Sequence, residues 1–312
     1  MRKRLLSIVA IGLAAMLSLS GCAPIVEDAP QNLSIYATFY PIYALAGMVL
    51  QDVPGIELHC LVQPQDGCLR SYELSDWDIY LLGYSADAIL AAGNGLEGDS
   101  DTLQKMAESS IPLVEVMYGM ELYLNDRAEA DEDSHFSGEN PHVYLSIDGA
   151  IDIVQRIAAS MDILSAENTE LFNQNANQAQ EKLEVLKQQM QTETADCHGV
   201  KAAILNETLF YVAQDCGLEI AAWFERESGT MLYGTTMEEC LERLRESGAQ
   251  LALIEQQAPA ALETALEDAG YAVARLDTLS TRSETEDGIE GYLDAMMENA
   301  KAVAEACRRI LE

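Results

Sequence analysis

The sequence predicts an α/β chain of two lobes, each with a roughly four-stranded parallel sheet, joined by one long backbone helix. Three observations predict it. Short apolar runs alternate with helix-like stretches, the signature of layered α/β structure. The second half repeats the grammar of the first. Between the halves, Phe172, Ala176, Ala179, Leu183, Leu186 and Met190 recur at spacings of four, three, four, three and four, an apolar stripe at helical period.

The elements follow in order. Met1 to Gly21 reads as a targeting segment: Arg2, Lys3 and Arg4 precede an apolar run, Leu5 to Leu19, that is short of the roughly 20 residues a membrane span needs. It ends in Leu19-Ser20-Gly21-Cys22, which resembles a bacterial lipobox, and the resemblance implies cleavage before Cys22 and a diacylglycerol on its thiol. The competing reading is an uncleaved anchor with an incidental cysteine. Residues 22–32, with Pro24 and Pro30, read as a flexible tether.

Residues 33–164 form the predicted first lobe, with strands expected at Leu33–Ala37, Ile56–Val62, Ile79–Gly83 and Leu113–Val116. Helical stretches fall within Pro41–Leu50 and Asp87–Ser109. Residues 165–196 contain no Gly or Pro, so they read as one linking helix. A coiled-coil dimer is the alternative use of its stripe. Residues 197–312 form the second lobe. Its expected strands are Lys201–Leu205, Glu219–Phe224, Leu251–Glu255 and Ala272–Leu276, and its expected helices Thr208–Cys216, Thr236–Ser247, Ala260–Ala269 and Gly288–Leu311.

Composition excludes several classes. Of 312 residues 49% are hydrophobic and the mean hydropathy is −0.02, which fits neither a disordered chain nor a polytopic membrane protein. Eighteen basic against 52 acidic side chains give a net charge of −34, opposite to what a phosphate backbone attracts. Removal of the leader takes away three bases and brings the charge to −37. No Walker loop, HExxH or GxSxG occurs, so no enzyme class is indicated.

Export makes disulfides permissible among Cys60, Cys68, Cys197, Cys216, Cys240 and Cys307. Six cysteines allow fifteen full pairings, so the connectivity stays open. Cys60 with Cys68 is the most local pairing, and buried free thiols are the alternative.

Several stretches carry a wider resemblance. They are Ala37-Thr38-Phe39-Tyr40-Pro41-Ile42-Tyr43, Leu69-Arg70-Ser71-Tyr72-Glu73, Asn140-Pro141-His142-Val143-Tyr144-Leu145-Ser146, Tyr211 with Gly217, Leu276-Asp277-Thr278-Leu279, and Tyr292 to Asn299. In order and spacing they resemble the lipid-anchored solute-binding proteins that deliver Zn²⁺ or Mn²⁺ to ABC importers. The resemblance spans the mature chain. It implies a monomeric, non-catalytic receptor outside the cytoplasmic membrane, or on a periplasm-facing one, with an ABC permease as partner.

It also implies a metal site between the lobes, with one ligand from each of four loops. Here those positions hold Arg70, His142, Asn206 and Asp277, of which His142 and Asp277 are good transition-metal ligands. A guanidinium has no lone pair to offer and repels a cation, and an amide oxygen suits harder cations than Zn²⁺. Two arrangements follow. Arg70 swings out and Glu73, Glu207 or Glu255 completes an oxygen-rich site, or Arg70 forks onto Asp277 and takes over the metal's electrostatic role. In the second case the receptor has diverged, and serves a chelated cofactor, another small ligand or a partner protein.

Zinc-specific members carry a His-rich loop before the second ligand. The corresponding residues, Asn125 to Asn140, are acidic and include only His135, which reads as a solvated surface loop. His59, inside a predicted strand, and His198, in a turn, read as structural.

Overall fold

The computed structural model describes residues 32–62, 64, 72, 74–97, 105, 110–123, 139–224 and 236–311. Cys22, Cys68, Arg70, Glu73 and the acidic stretch around His135 lie outside them. Residues from Leu33 onward form one compact unit. Among the described residues no helix is long and apolar enough to cross a membrane.

The first lobe is built on β1 (Leu33–Ala37), α1 (Tyr40–Leu50), β2 (Ile56–Cys60), α2 (Asp76–Ser85), β3 (Ala88–Ala91) and β4 (Leu113–Glu115). The second carries β5 (Lys201–Ile204), α5 (Phe210–Asp215), β6 (Glu219–Trp223), α6 (Met237–Ser247), β7 (Leu251–Glu255), α7 (Ala260–Asp268), β8 (Ala272–Leu276) and α8 (Gly291–Leu311). Between them run α3 (Ile147–Leu164) and α4 (Thr169–Glu193). The sheets are parallel, in the orders β2-β1-β3-β4 and β6-β5-β7-β8. Each lobe therefore has the same switch point, between its first and third strands, and parallel sheets place ligands at the carboxyl ends beside such points.

The linking helix α4 buries the predicted stripe, Phe172 to Met190, against α3, α8 and α1. Its apolar face is thus used within the chain. One hydrophobic cluster runs through both lobes, from Ile35 and Leu90 across Phe172 and Leu183 to Leu253 and Val303. A disulfide between Cys197 and Cys307, with Cα atoms 5.6 Å apart, ties the end of the α4 segment to α8.

Three sequence expectations need correction. Ile79–Gly83 is helical: Ser75 and Asp78 form a reciprocal capping box that starts α2, and the strand is Ala88–Ala91. The helix α3 was not expected. Cys60 is a buried thiol whose Sγ donates to the Val62 carbonyl at 3.5 Å, so it does not pair with Cys68. Burial and the nearby Glu284 carboxylate push that thiol up to about 12, which leaves it protonated and unreactive.

Candidate functional site

Register gathers the second lobe's candidates. Ile204 lies opposite Leu253, and Glu255 opposite Leu276, so Asn206, Glu255 and Asp277 leave their strands on one rim. All three are buried. Asn206 caps the 3₁₀ turn Glu207–Leu209 by accepting from the Thr208 N–H at 3.0 Å. Its amide oxygen is therefore engaged locally. The Glu207 side chain is buried beside it.

His142 sits one residue before the 3₁₀ turn Val143–Leu145 and is 1% exposed. Asn140 orients it. The Asn140 amide nitrogen donates to the Glu207 carbonyl at 2.9 Å, which turns its oxygen toward His142. That oxygen accepts from the His142 backbone N–H at 3.1 Å and lies 2.9 Å from Nδ1. An amide oxygen only accepts, so Nδ1 is the donor in that contact, and Nε2 lies 3.4 Å from Thr208 Oγ1. Tyr211 adds a hydroxyl bond to the Asn140 carbonyl at 2.7 Å. The network joins His142, Asn206 and Glu207 through Asn140 and Thr208, and so brings three sequence-predicted residues together.

Asp277 belongs to a different network. Its Oδ1 accepts from the Leu279 N–H at 2.6 Å, and its Oδ2 from Arg282 Nε at 2.6 Å. Its backbone N–H donates to Asn299 Oδ1 at 2.7 Å, and its carbonyl accepts from Asn299 Nδ2 at 2.9 Å. Arg282 also reaches Asp287 at 3.1 Å and Glu298 at 3.0 Å. A guanidinium does pair with Asp277, through Nε of Arg282, which the sequence reading did not single out; Arg70 lies outside the described residues. Among the described residues no group of three or more His, Cys, Asp or Glu side chains is placed to hold a metal ion.

The segment that carries Arg282 also straps the lobes together. Glu284 accepts from the Cys60 N–H at 2.7 Å, and the Gly288 carbonyl accepts from the Tyr40 hydroxyl at 2.9 Å. Burial, reinforced by the Asp287 carboxylate, pushes the Tyr40 phenol far up, so it stays a neutral donor.

One further rim carboxylate was missed. Glu97, 6% exposed, stands at the carboxyl ends of β1 and β3, the first lobe's switch point. It accepts from Thr38 Oγ1 at 2.9 Å and from the Ala92 and Gly93 N–H groups at 2.5 and 3.0 Å. Burial outweighs these donors and pushes its carboxyl up to about 7.

Comparison with known proteins agrees with this architecture. The chain is 25% identical over 291 residues to the zinc-binding lipoprotein AdcA of Streptococcus pneumoniae, an alignment covering 89% of this chain and 56% of that protein. It thus spans little more than half the length of the curated relatives it matches. Among solved structures, it is similar in fold to the solute-binding protein FpvC of Pseudomonas aeruginosa in complex with Mn²⁺, with a TM-score of 0.76 at 20% identity over 89% of this chain and 99% of that one. It is also similar to the Zn(II)-bound ZnuA-like domain of S. pneumoniae AdcA, with a TM-score of 0.70 at 22% identity over 88% and 98% of the two chains. Residues 35–306 match the family described as zinc-uptake complex component A, periplasmic, or ZnuA, and the chain belongs to that family.

Proposed function

We propose that this protein is an extracytoplasmic solute-binding lipoprotein. In this reading it is held to the membrane by a diacylglycerol on Cys22, captures Zn²⁺ or Mn²⁺ between its lobes and hands the ion to an ABC permease. It is a receptor, not an enzyme, and works as a monomer. Family membership supports the transport role. The observation that carries the metal reading is the Asn140 amide oxygen 2.9 Å from Nδ1 of the buried His142: with Nδ1–H held there, the neutral imidazole would offer Nε2 as a ligand, the arrangement that metal-binding histidines use. Asp277 is the second proposed ligand, and Glu73, Glu207 and Glu255 are auxiliary oxygen donors. Arg70 and Asn206 stand at the two substituted positions.

A second reading is favoured by the Arg282–Asp277 ion pair. A carboxylate already neutralised by a guanidinium suits a diverged receptor whose cargo is a chelated cofactor, another small ligand or a partner protein. Calorimetric titration of Zn²⁺ and Mn²⁺ into the chain lacking residues 1–25, beside the Arg70→His/Asn206→His double variant, separates the two. Tight binding by the unmodified protein is the outcome expected of a metal carrier. Binding only by the double variant would establish the diverged receptor.

A further inference from the structure

We propose that Arg282 sets the cation affinity of this cleft, as a resident counter-ion on Asp277 with which any divalent ion must compete. The inference rests on the reading of Asp277 as a cleft ligand. Three features of the pair support it.

The first is occupancy. Both carboxylate oxygens of Asp277 already accept, one from Arg282 Nε and one from the Leu279 N–H, each at 2.6 Å. Leu279 has a φ of +68°, a left-handed backbone that a β-carbon disfavours, and the bond to Asp277 is what holds its N–H in place. The carboxylate is fixed from two sides.

The second is anchorage. Arg282 spreads its three nitrogens over Asp277, Asp287 and Glu298. Asp287 is itself fixed by the Ser283 N–H at 2.8 Å. The Arg282 side chain is only 16% exposed and that of Asp277 2%, so the pair is shielded from the solvent that weakens surface ion pairs. Moving the guanidinium away would leave the buried Asp277 carboxylate without its counter-ion.

The third is chemistry. A histidine in this position would yield to a metal by losing its proton, whereas guanidinium does not deprotonate in proteins. An incoming ion therefore either displaces Arg282 as a whole or shares Asp277 with a fixed positive charge. Either way affinity falls, for Zn²⁺ and Mn²⁺ alike.

The test is calorimetric titration of Zn²⁺ and Mn²⁺ into the whole chain in detergent, comparing the unmodified protein with Arg282→Gln, Arg282→Lys and the Arg282→Gln/Asp277→Asn double variant. Thermal melts confirm that each is folded, and Arg282→Met, which keeps the apolar stem, replaces Arg282→Gln should that variant not fold. Removing a unit charge beside a divalent ion is expected to tighten Zn²⁺ binding at least about tenfold, even with the screening of bulk water. Lysine should retain the weaker affinity, and Asp277→Asn should abolish the gain. A purely structural role for Arg282 would lower the melting temperature without tightening binding. Unchanged or weaker Zn²⁺ binding by folded Arg282→Gln, or a gain that survives Asp277→Asn, would overturn the proposal. Tight binding by the unmodified protein that Arg282→Gln leaves unaltered sinks this inference and spares the metal-carrier reading. No binding by the unmodified protein with a gain in Arg282→Gln sinks that reading and sustains the inference.

Discussion

A chain leaving the last residue of a buried strand exposes an amide and a carbonyl that no neighbouring strand pairs, and at Asp277 both are taken up by the side chain of Asn299 on α8. The asparagine is 2% exposed, so water cannot replace it. Asn299→Leu, which keeps the volume and deletes both bonds, strands two buried backbone groups and is expected to cost about 2–4 kcal/mol, read as a lowered urea midpoint at unchanged m-value. This scale also shows what the sequence can and cannot disclose. Asn206 and Asp277 were legible as residues at the carboxyl ends of strands because each directly follows an apolar strand-like run. Arg282 was not, since its partners lie five residues before it, five after it and sixteen after it, and residues 278–290 carry no periodicity that would mark them as a packed segment. His142 was legible by resemblance. The orientation of its ring depends on the Asn140 amide being turned by the Glu207 carbonyl, from the other lobe, and a linear sequence does not display that contact.

Among the elements, α2 and α3 show why pattern alone misassigned part of the first lobe. The apolar run around Ile79 has the length of a buried strand, yet Trp77, Tyr80 and Tyr84 of α2 are exposed by 65%, 59% and 80%. With its aromatic residues facing outward, α2 lacks the apolar stripe that identifies a helix. Helix α3 does bury one face, including Ile153, Val154, Ile157 and Met161. It matters to the site because its first turn packs on the 3₁₀ turn that follows His142. A β-carbon on Gly149 would collide with the Val143 carbonyl oxygen and Cγ2, so the close approach of helix to turn requires glycine. Gly149→Ala is expected to destabilise the fold by about 1–3 kcal/mol and to weaken Zn²⁺ binding, because relief of the clash displaces the turn that positions His142. Melting and titration on one preparation check this, and wild-type affinity in a destabilised variant would show that the turn does not govern the histidine.

For the molecule as a whole, charge and burial act in the same direction on stability. Two carboxylates sit at structural junctions and are held protonated more readily than in an unfolded chain. Burial pushes Glu97 up to about 7, and pushes Asp215 up to about 6 with reinforcement from Asp148. Asp215 accepts from the Ile147 N–H at 2.7 Å, and so ties α5 of the second lobe to the start of α3. The unfolded chain releases these protons near pH 4. Between there and pH 6 or 7 the native state therefore binds more protons than the unfolded one, and stability falls as pH rises. Each group contributes at most about 1.4 kcal/mol per pH unit across its window. The net charge of −34 adds self-repulsion that also grows as carboxylates ionise. Carboxylates such as Asp78, lowered by bonds from Ser75 and Tyr72, act the other way, but only toward the acid end. Urea unfolding followed by circular dichroism should accordingly show greatest stability at about pH 4–5 and a decline that levels off above about pH 7. Asp215→Asn keeps an acceptor for the Ile147 N–H and removes the titration, so its profile should be flatter between pH 4 and 6. A stability maximum at pH 8, or an Asp215→Asn profile parallel to wild type, would mean that Asp215 is ionised in the native fold and that some cation among its neighbours, Lys187 being the nearest candidate through Asp148, offsets its burial.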